Sequence, residues 1–285
     1  MKKHDYFDIW LHEDNELAEI YGFKVTARNV LHAWPLSVVE RVDFENGVSL
    51  IYKAYYNLPT ETDFYRNVSS KYIPKVFYNY SEGEERHWFL FEYVIGQHPV
   101  DLNIEEITSL AYKARTIIDD LGQVKTYMHD CSESGYENFA ETTLHLLNKL
   151  KVLDTRRMRE ALYHPEVLST VNTPAKLLHG DFKCNNVIVR PDGELVIIDW
   201  HKVMLGPGNI DIYSLLANQG IDPVPIAGIG PEILRMVLEI RWIADCLDYW
   251  MVGAKLEGWM ANIEENLYHV VANDGYVSRE VYRFG

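Results

Sequence analysis

Apolar and polar residues alternate in short runs along the first hundred positions, which is the pattern of β-strands with one buried face. Three such runs follow one another, and a Glu-Asn-Gly turn signal separates the last two: residues 24–31, 37–44 and 48–55. An aromatic-rich run at 87–94 ends at Gly96 and predicts a buried strand that leads into a bend. Residues 61–70 have helical spacing after an N-cap signal at Thr60. We therefore expect an antiparallel sheet with one helix.

Beyond this region, apolar residues recur at helical spacing. The spacing predicts helices from about residue 104 to 168 and from 210 to 271, with a loop over residues 220–231. The change from strands to helices is typical of an α+β protein with two lobes. We expect an N-terminal lobe over residues 1–95 and a larger, mainly helical lobe over residues 96–285.

One β-hairpin is predicted inside the helical part, because two short apolar runs flank a Pro-Asp-Gly turn: residues 187–189 and 195–198. Pairing of Val189 with Glu194 across this turn would place Asn186 opposite Ile197. Asp199 follows Ile197 by two residues. Two polar side chains are therefore expected at one end of the hairpin.

A second carboxylate is expected at the same end. Asp181 precedes Asn186 by five residues, so a tight loop can bring it beside Asn186 and Asp199. Two carboxylates and an amide form an oxygen-rich set that suits Mg²⁺, a hard cation that binds substrate phosphates. This chemistry indicates phosphoryl transfer.

Composition limits the class of partner. The chain has 285 residues, of which 47% are apolar and 24% charged, as in an ordinary globular protein. The formal net charge of -15 argues against nucleic acid or an anionic membrane as the main partner, whereas a cationic or neutral small ligand fits better. The three cysteines are far apart, and no signal-peptide or membrane-span pattern is found, so we expect a cytoplasmic protein.

Two motifs resemble those of aminoglycoside phosphotransferase-like kinases, which share a superfamily with choline kinases. Residues 179–186 read His-Gly-Asp-Phe-Lys-Cys-Asn-Asn and match the pattern HGDxxxxN, while residues 198–200 read Ile-Asp-Trp. The match is specific because both motifs occur in this order with a hairpin between them. The resemblance implies a bilobal protein kinase-like fold, with an N-terminal antiparallel sheet and one helix, and a larger helical C-terminal lobe that binds the acceptor.

The resemblance also implies roles for individual residues. Asp181 would be the catalytic base that takes the proton of the acceptor hydroxyl, while Asn186 and Asp199 would hold Mg²⁺. His179 would be a scaffold for the loop. Asp211 would brace that loop from the following helix, with a plain helix N-cap as the alternative.

The N-terminal lobe has residues that fit a nucleotide site. Lys53 is the only lysine of its strand and alternates onto the side of apolar neighbours, so we expect it to hold nucleotide phosphates. Glu61 lies on the apolar face of the next helix, which predicts a Lys53–Glu61 ion pair. A surface lysine and an acid placed by the helix dipole are the alternatives. By resemblance, backbone groups of Glu92 and Val94 would bind the adenine edge.

Two features depart from the usual kinase pattern. No glycine-rich GxGxxG occurs between the first two strands, where residues 29–37 stand instead, so another loop must cover the phosphates. His201 follows the Asp199-Trp200 pair at a place where many relatives have an acidic residue. The arrangement around a second metal ion therefore stays open.

Together the residues favour an ATP-dependent transferase, with GTP not distinguished, that phosphorylates a hydroxyl of an aminoglycoside-like antibiotic, an amino alcohol or a sugar. Asp211 follows Asp199 by only twelve residues, which leaves little room for the peptide-docking segment of a protein kinase. A nucleotide-binding pseudokinase is the alternative from another class. Residues 239–250 mix acids with aromatic residues that would suit an ammonium group, although a buried aromatic face with solvated acids explains the pattern equally well.

Overall fold

The computed structural model describes residues 1–272 apart from 57–58, 84–85, 123, 126 and 252–254. Over these residues the chain forms two compact units. The first contains Met1–His98 together with Val187–His201, and the second contains Pro99–Asn186 and the chain from Lys202 onward. The predicted lobe boundary after residue 95 stays a prediction. None of the helices in the described ranges has the length and apolar character that a membrane crossing needs.

Five strands of the first unit form one antiparallel sheet in the order β3-β4-β5-β7-β6: β3 (Val25–Trp34), β4 (Ser37–Phe44), β5 (Ser49–Tyr56), β6 (Val76–Glu82) and β7 (Arg86–Glu92). The four predicted strands are confirmed to within a few residues. Strand β6 has no counterpart in the sequence prediction, because it is an edge strand whose side chains are half-buried or exposed and do not alternate cleanly. The sheet places Lys53 on β5, an inner strand.

The N-terminal residues cover one face of this sheet. They form three short elements: β1 (Lys2–Lys3), β2 (Trp10–Leu11) and α1 (Asp14–Tyr21). Ile9 and Leu17 are buried in the same apolar cluster as Tyr52 of β5 and Trp88 of β7. The expectation of one helix in this part of the chain is therefore wrong, since α1 precedes the predicted helix α2 (Pro59–Asn67).

The second unit is mainly helical, as predicted. Its helices are α3 (Ile104–Asp120), α4 (Tyr136–Leu150), α5 (Thr155–Leu162), α6 (Pro165–Val171), α7 (Asn209–Asn218), α8 (Val224–Ala227), α9 (Ile229–Asp245) and α10 (Glu257–Ala272). The core forms around α9, which is buried around most of its circumference, as expected of a central helix. The loop predicted at 220–231 is interrupted by α8 and by the start of α9. Pro231 lies in the first turn of α9, where its missing N–H costs no helical hydrogen bond.

Two pairs of short strands flank the predicted chemical motifs. In the first unit, β9 (Val187–Val189) pairs with β10 (Leu195–Ile197), and Val189 stands opposite Leu195. The predicted pairing of Val189 with Glu194 is wrong by one residue, because the turn has five residues and closes through a bond from Arg190 N–H to the Glu194 carbonyl. In the second unit, β8 (Ala175–Leu178) pairs with β11 (Met204–Pro207), a pair that the sequence did not predict.

Candidate active site

Lys53 is the centre of a charged cluster in the first unit. Its ammonium nitrogen lies 2.8 Å from Oε2 of Glu61 and 2.7 Å from Oδ1 of Asp199. Lys53 is 6% exposed and Glu61 is 1% exposed, so both charges are removed from solvent. The predicted Lys53–Glu61 ion pair is confirmed, and the surface alternative for Lys53 is wrong.

Three consecutive side chains fix the start of α2. The Thr60 hydroxyl donates to the carbonyl of His201 at 2.7 Å, Glu61 pairs with Lys53, and the Thr62 hydroxyl shares a 2.6 Å hydrogen bond with the Tyr55 phenol. The N-cap prediction for Thr60 is wrong, because the helix begins at Pro59 and the hydroxyl bonds a distant carbonyl instead. The helix is thus attached to β5 and to the segment around His201.

Asp199 lies in the irregular segment that follows β10. Its φ of 66° is in the left-handed region, which aspartate tolerates better than most side chains. The Nδ1 atom of His201 lies 3.1 Å from Oδ1 of Asp199, so Asp199 has a second nitrogen partner besides Lys53. The Trp200 ring stacks on Phe64 of α2 with centroids 4.2 Å apart, which holds the segment in place.

The charges in this cluster stabilise one another. Burial by itself would raise the pKa of Asp199, but the charge of Lys53 and then that of His201 hold the pKa well below its usual range. Burial opposes the charged form of Lys53, yet Asp199 and Glu61 together raise its pKa above the ordinary value. For Glu61, burial outweighs the neighbouring ammonium and raises the carboxyl pKa. Asp199 is thus ionised in the neutral pH range.

The end of β7 and the segment that follows it contain the two residues predicted to bind adenine. The Glu92 N–H donates to the Lys75 carbonyl at 2.8 Å, and the Glu92 carboxylate accepts from Arg190 at 2.7 Å. Val94 is buried, and its N–H donates to no other residue in the described part of the chain. An unpaired N–H at a buried residue is rare, so this donor is available to a ligand.

In the second unit, the loop after β8 carries Asp181 and Asn186. The amide nitrogen of Asn186 donates to the Asp181 carbonyl at 2.8 Å, so the amide oxygen of Asn186 is the atom left for a ligand. Lys183 Nζ lies 3.0 Å from one carboxylate oxygen of Asp181, and Lys202 Nζ lies 3.4 Å from the other. His179 is fully buried, and its Nδ1 accepts the Asp181 N–H at 3.3 Å, as expected of a scaffold residue.

Asp211 braces this loop from α7. Its carboxylate accepts the N–H groups of His179 at 2.9 Å and Gly180 at 3.2 Å, and it pairs with Arg115 at 2.8 Å. The bracing interpretation is confirmed and the N-cap alternative is wrong, because Gly208 precedes the helix. The Arg115 guanidinium also donates to the Leu177 carbonyl at 2.7 Å. One buried ion pair thus fixes the backbone of residues 177–180, which lead directly to Asp181.

Comparison with known proteins decides the family. A model of the phosphotransferase enzyme family, abbreviated APH, matches residues 53–230, which is more than half of the chain. The chain belongs to this family. It is a small-molecule kinase, and the matched region includes Lys53, Glu61 and both sequence motifs. No significant match is found among curated proteins.

Solved structures show the fold of this phosphotransferase. A variant of aminoglycoside phosphotransferase APH(4)-Ia, bound to ADP and hygromycin B, matches with a TM-score of 0.63 at 16% identity, over 90% of this chain and 98% of that one. Amicoumacin kinase hAmiN, bound to AMP-PNP and Ca²⁺, matches with a TM-score of 0.58 at 14% identity, over 96% and 98% of the chains. Spectinomycin phosphotransferase APH(9)-Ia gives a TM-score of 0.53 at 13% identity, over 92% and 98%. The predicted bilobal kinase-like fold is confirmed.

The predicted metal ligands of the phosphotransferase fit a hard cation individually. Asp199 offers an ionised carboxylate, and Asn186 offers an amide oxygen because its nitrogen is already bonded. Oxygen donors of these two kinds are those that Mg²⁺ prefers. The donor types therefore agree with the family's chemistry, while the metal-binding roles stay a prediction.

Two basic residues near this chemistry are missing from the sequence prediction. Arg115 lies among buried apolar residues of α3. An arginine at such a position indicates a buried, paired charge, and this was the signal by which the sequence could have revealed it. Lys202 pairs with Asp181 although 21 residues separate them, and the β8–β11 pairing that brings them together is too short to predict.

Proposed function

We propose that this phosphotransferase transfers the γ-phosphoryl group of ATP to a hydroxyl of a small molecule. The observation that carries the proposal is the buried cluster in which Lys53 pairs with both Glu61 and Asp199. A kinase needs such a lysine to hold the nucleotide phosphates and a helix glutamate to position it. Related structures contain ADP or AMP-PNP, which supports an adenine nucleotide over GTP.

In this proposal Asp181 is the base. Its carboxylate would accept the proton of the acceptor hydroxyl as that oxygen attacks the γ-phosphorus. Lys53 would hold the α- and β-phosphates, and Asn186 and Asp199 would hold Mg²⁺. Bound Mg²⁺ would supply charge neutralisation for the phosphates.

The nucleotide base would be bound by backbone groups at the end of β7 and just after it. The Glu92 carbonyl would accept from adenine, and the unpaired Val94 N–H would donate to it. The Glu92–Arg190 ion pair would keep this segment in place. This arrangement requires no particular side chain at either position, which explains why sequence alone gives a weak signal here.

The family and the charge of the chain both support a small-molecule acceptor. The related enzymes are named for, or were solved with, antibiotic acceptors such as hygromycin B and spectinomycin. We propose a small hydroxyl compound for this chain as well. The net charge of -15 disfavours nucleic acid and anionic membranes as partners.

The test uses Asp181→Ala and Asp199→Ala, with Asp120→Ala on the exposed surface of α3 as the matched control. We expect Asp181→Ala to lower transfer by about 10²- to 10⁴-fold, the usual contribution of a general base, while Mg-ATP still raises the melting temperature. Asp199→Ala should weaken Mg-ATP binding as well. Transfer is measured with a panel of antibiotic, amino alcohol and sugar acceptors.

Two results would overturn the proposal. Equal transfer by Asp181→Ala and the parent protein would exclude Asp181 as the base. Mg-ATP binding without transfer to any acceptor and without slow ATP hydrolysis would indicate a regulatory pseudokinase instead.

A further inference from the structure

Lys202 is a cation that the mechanism above does not use. Its ammonium nitrogen lies 3.4 Å from Oδ1 of Asp181 and 4.4 Å from the centre of the Trp242 ring on α9. The side chain is 13% exposed. Lys202 is therefore held between the proposed base and the helix α9 of the same unit.

These two partners do not use all the donors of the ammonium group. A charge-assisted N–H···O bond is normally 2.7–2.9 Å long, so the 3.4 Å contact with Asp181 is a weak one. The Trp242 ring attracts the positive charge but accepts no conventional hydrogen bond. Since a lysine has three N–H donors, Lys202 keeps hydrogen-bonding capacity for a third group beside Asp181.

The position of Lys202 constrains the acceptor. An acceptor hydroxyl must come within about 2.6–3.2 Å of the Asp181 carboxylate to give up its proton. The atoms next to that hydroxyl are then close to the Lys202 ammonium, and Lys183 places a second cation 3.0 Å from the same carboxylate. An amine on the neighbouring carbon would meet two positive charges, whereas a carboxylate there would be attracted by both.

The acidic residues of α9 and of the turn after it are not available to offset the positive charge of Lys202. Three of these carboxylates are paired with basic residues of the same unit: Glu239 with Arg235, Asp245 with Arg241, and Asp248 with Lys149. The face of Trp242 carries Lys202. These carboxylates thus already have cationic partners, which argues against the interpretation of the segment as an ammonium site.

We propose that Lys202 is a specificity-determining residue that selects acceptors with a carboxylate next to the reacting hydroxyl and discriminates against an amine there. Affinity should fall in the order carboxylate, hydroxyl, amine at that position. The inference rests on the proposed role of Asp181 as the base, and it departs from the sequence expectation of a cationic or neutral ligand, because a carboxylate carries a negative charge.

The test uses three polyols that differ at one carbon: gluconate, glucitol and glucamine carry a carboxylate, a hydroxymethyl group and an aminomethyl group on the same skeleton. Each is titrated into the full-length protein in the presence of Mg-ADP, and the rise in melting temperature gives an apparent Kd. We expect gluconate to bind at least about tenfold more tightly than glucamine, the factor that corresponds to one interaction of about 1.4 kcal/mol.

Variants separate charge from structure. Lys202→Met should remove the preference for gluconate over glucamine, Lys202→Glu should reverse it, and Lys202→Arg should keep it. Lys149→Met is the matched control, because Lys149 also pairs with an aspartate and lies 5.9 Å from the Tyr249 ring but is 57% exposed. It should leave the preference unchanged.

The outcomes distinguish this inference from the proposed function. A gluconate preference that depends on Lys202 supports the inference even if no polyol is phosphorylated. Equal binding of the three polyols, no binding of any, or a preference that survives in Lys202→Met would overturn it. Phosphoryl transfer in the parent that is lost in Asp181→Ala would uphold the proposed function in each of these cases.

Discussion

Replacing Lys53 with methionine tests the electrostatic argument for the first unit directly. Methionine retains most of the apolar stem of lysine but removes the ammonium group that lies between Glu61 and Asp199. Glu61 is 1% exposed, so its carboxylate cannot regain solvent when the cation is gone. Removal of one partner of a buried ion pair costs about 3–5 kcal/mol. We expect Lys53→Met to lower the free energy of unfolding by this amount.

The origin of the loss is tested by a second substitution. If the unpaired Glu61 carboxylate causes the loss, Glu61→Gln in the Lys53→Met background should restore about 1–3 kcal/mol, since a neutral amide is cheaper to bury than a charge. Unfolding in urea at pH 7 is followed by tryptophan fluorescence, to which Trp200 contributes through its stacking on Phe64.

A surface ion pair supplies the comparison. Lys71 pairs with Glu194 in the same unit but is 60% exposed, so Lys71→Met should change the free energy of unfolding far less than Lys53→Met does. The reasoning is refuted if Lys53→Met costs no more than Lys71→Met. It is also refuted if the double variant of Lys53 and Glu61 is less stable than Lys53→Met alone.

Two further predictions concern other parts of the chain. Gly180 and Gly193 both have positive φ values, but only at Gly180 would a Cβ atom overlap a backbone carbonyl, that of Lys202. In urea unfolding, Gly193→Ala should therefore lower the free energy of unfolding by about 1–2 kcal/mol, and Gly180→Ala should lower it by about 1–3 kcal/mol more. Equal losses of stability in the two variants would contradict this prediction. Burial lowers the pKa of His12 below its ordinary 6.5, so the unfolded chain takes up the proton more readily and stability should fall as the pH drops below about 6.5. The free energy of unfolding should depend less steeply on pH in His12→Gln. An unchanged pH dependence would show that His12 is not the group responsible.

Local patterns in the sequence predicted the features that depend on local physics. Strand β4 matches its predicted bounds, because alternation of apolar residues sets both its conformation and its buried face. The Lys53–Glu61 pair could be predicted for a similar reason, since each charge interrupts an apolar face. Such an interruption inside a buried element is a strong signal for a paired group.

Features that depend on distant residues could not be predicted in this way. Thr60 has the pattern of an N-cap, but its hydroxyl bonds a carbonyl 141 positions along the chain. The hairpin register differs by one residue because the turn closes between Arg190 and Glu194, and turn geometry is only partly encoded in composition. Lys202 is next to a recognisable motif, yet its role follows from contacts with Asp181 and with Trp242 on α9.

The three side chains at the start of α2 have a consequence for control of the enzyme. In protein kinases the position of the glutamate-bearing helix is a common switch, because moving it separates the lysine–glutamate pair. Here Glu61 and Thr62 are bonded to β5 and Thr60 to the carbonyl of His201, so displacement of the helix would break all three attachments together. Movement of α2 would therefore be energetically costly in this enzyme, unlike in a protein kinase that uses this helix as a switch.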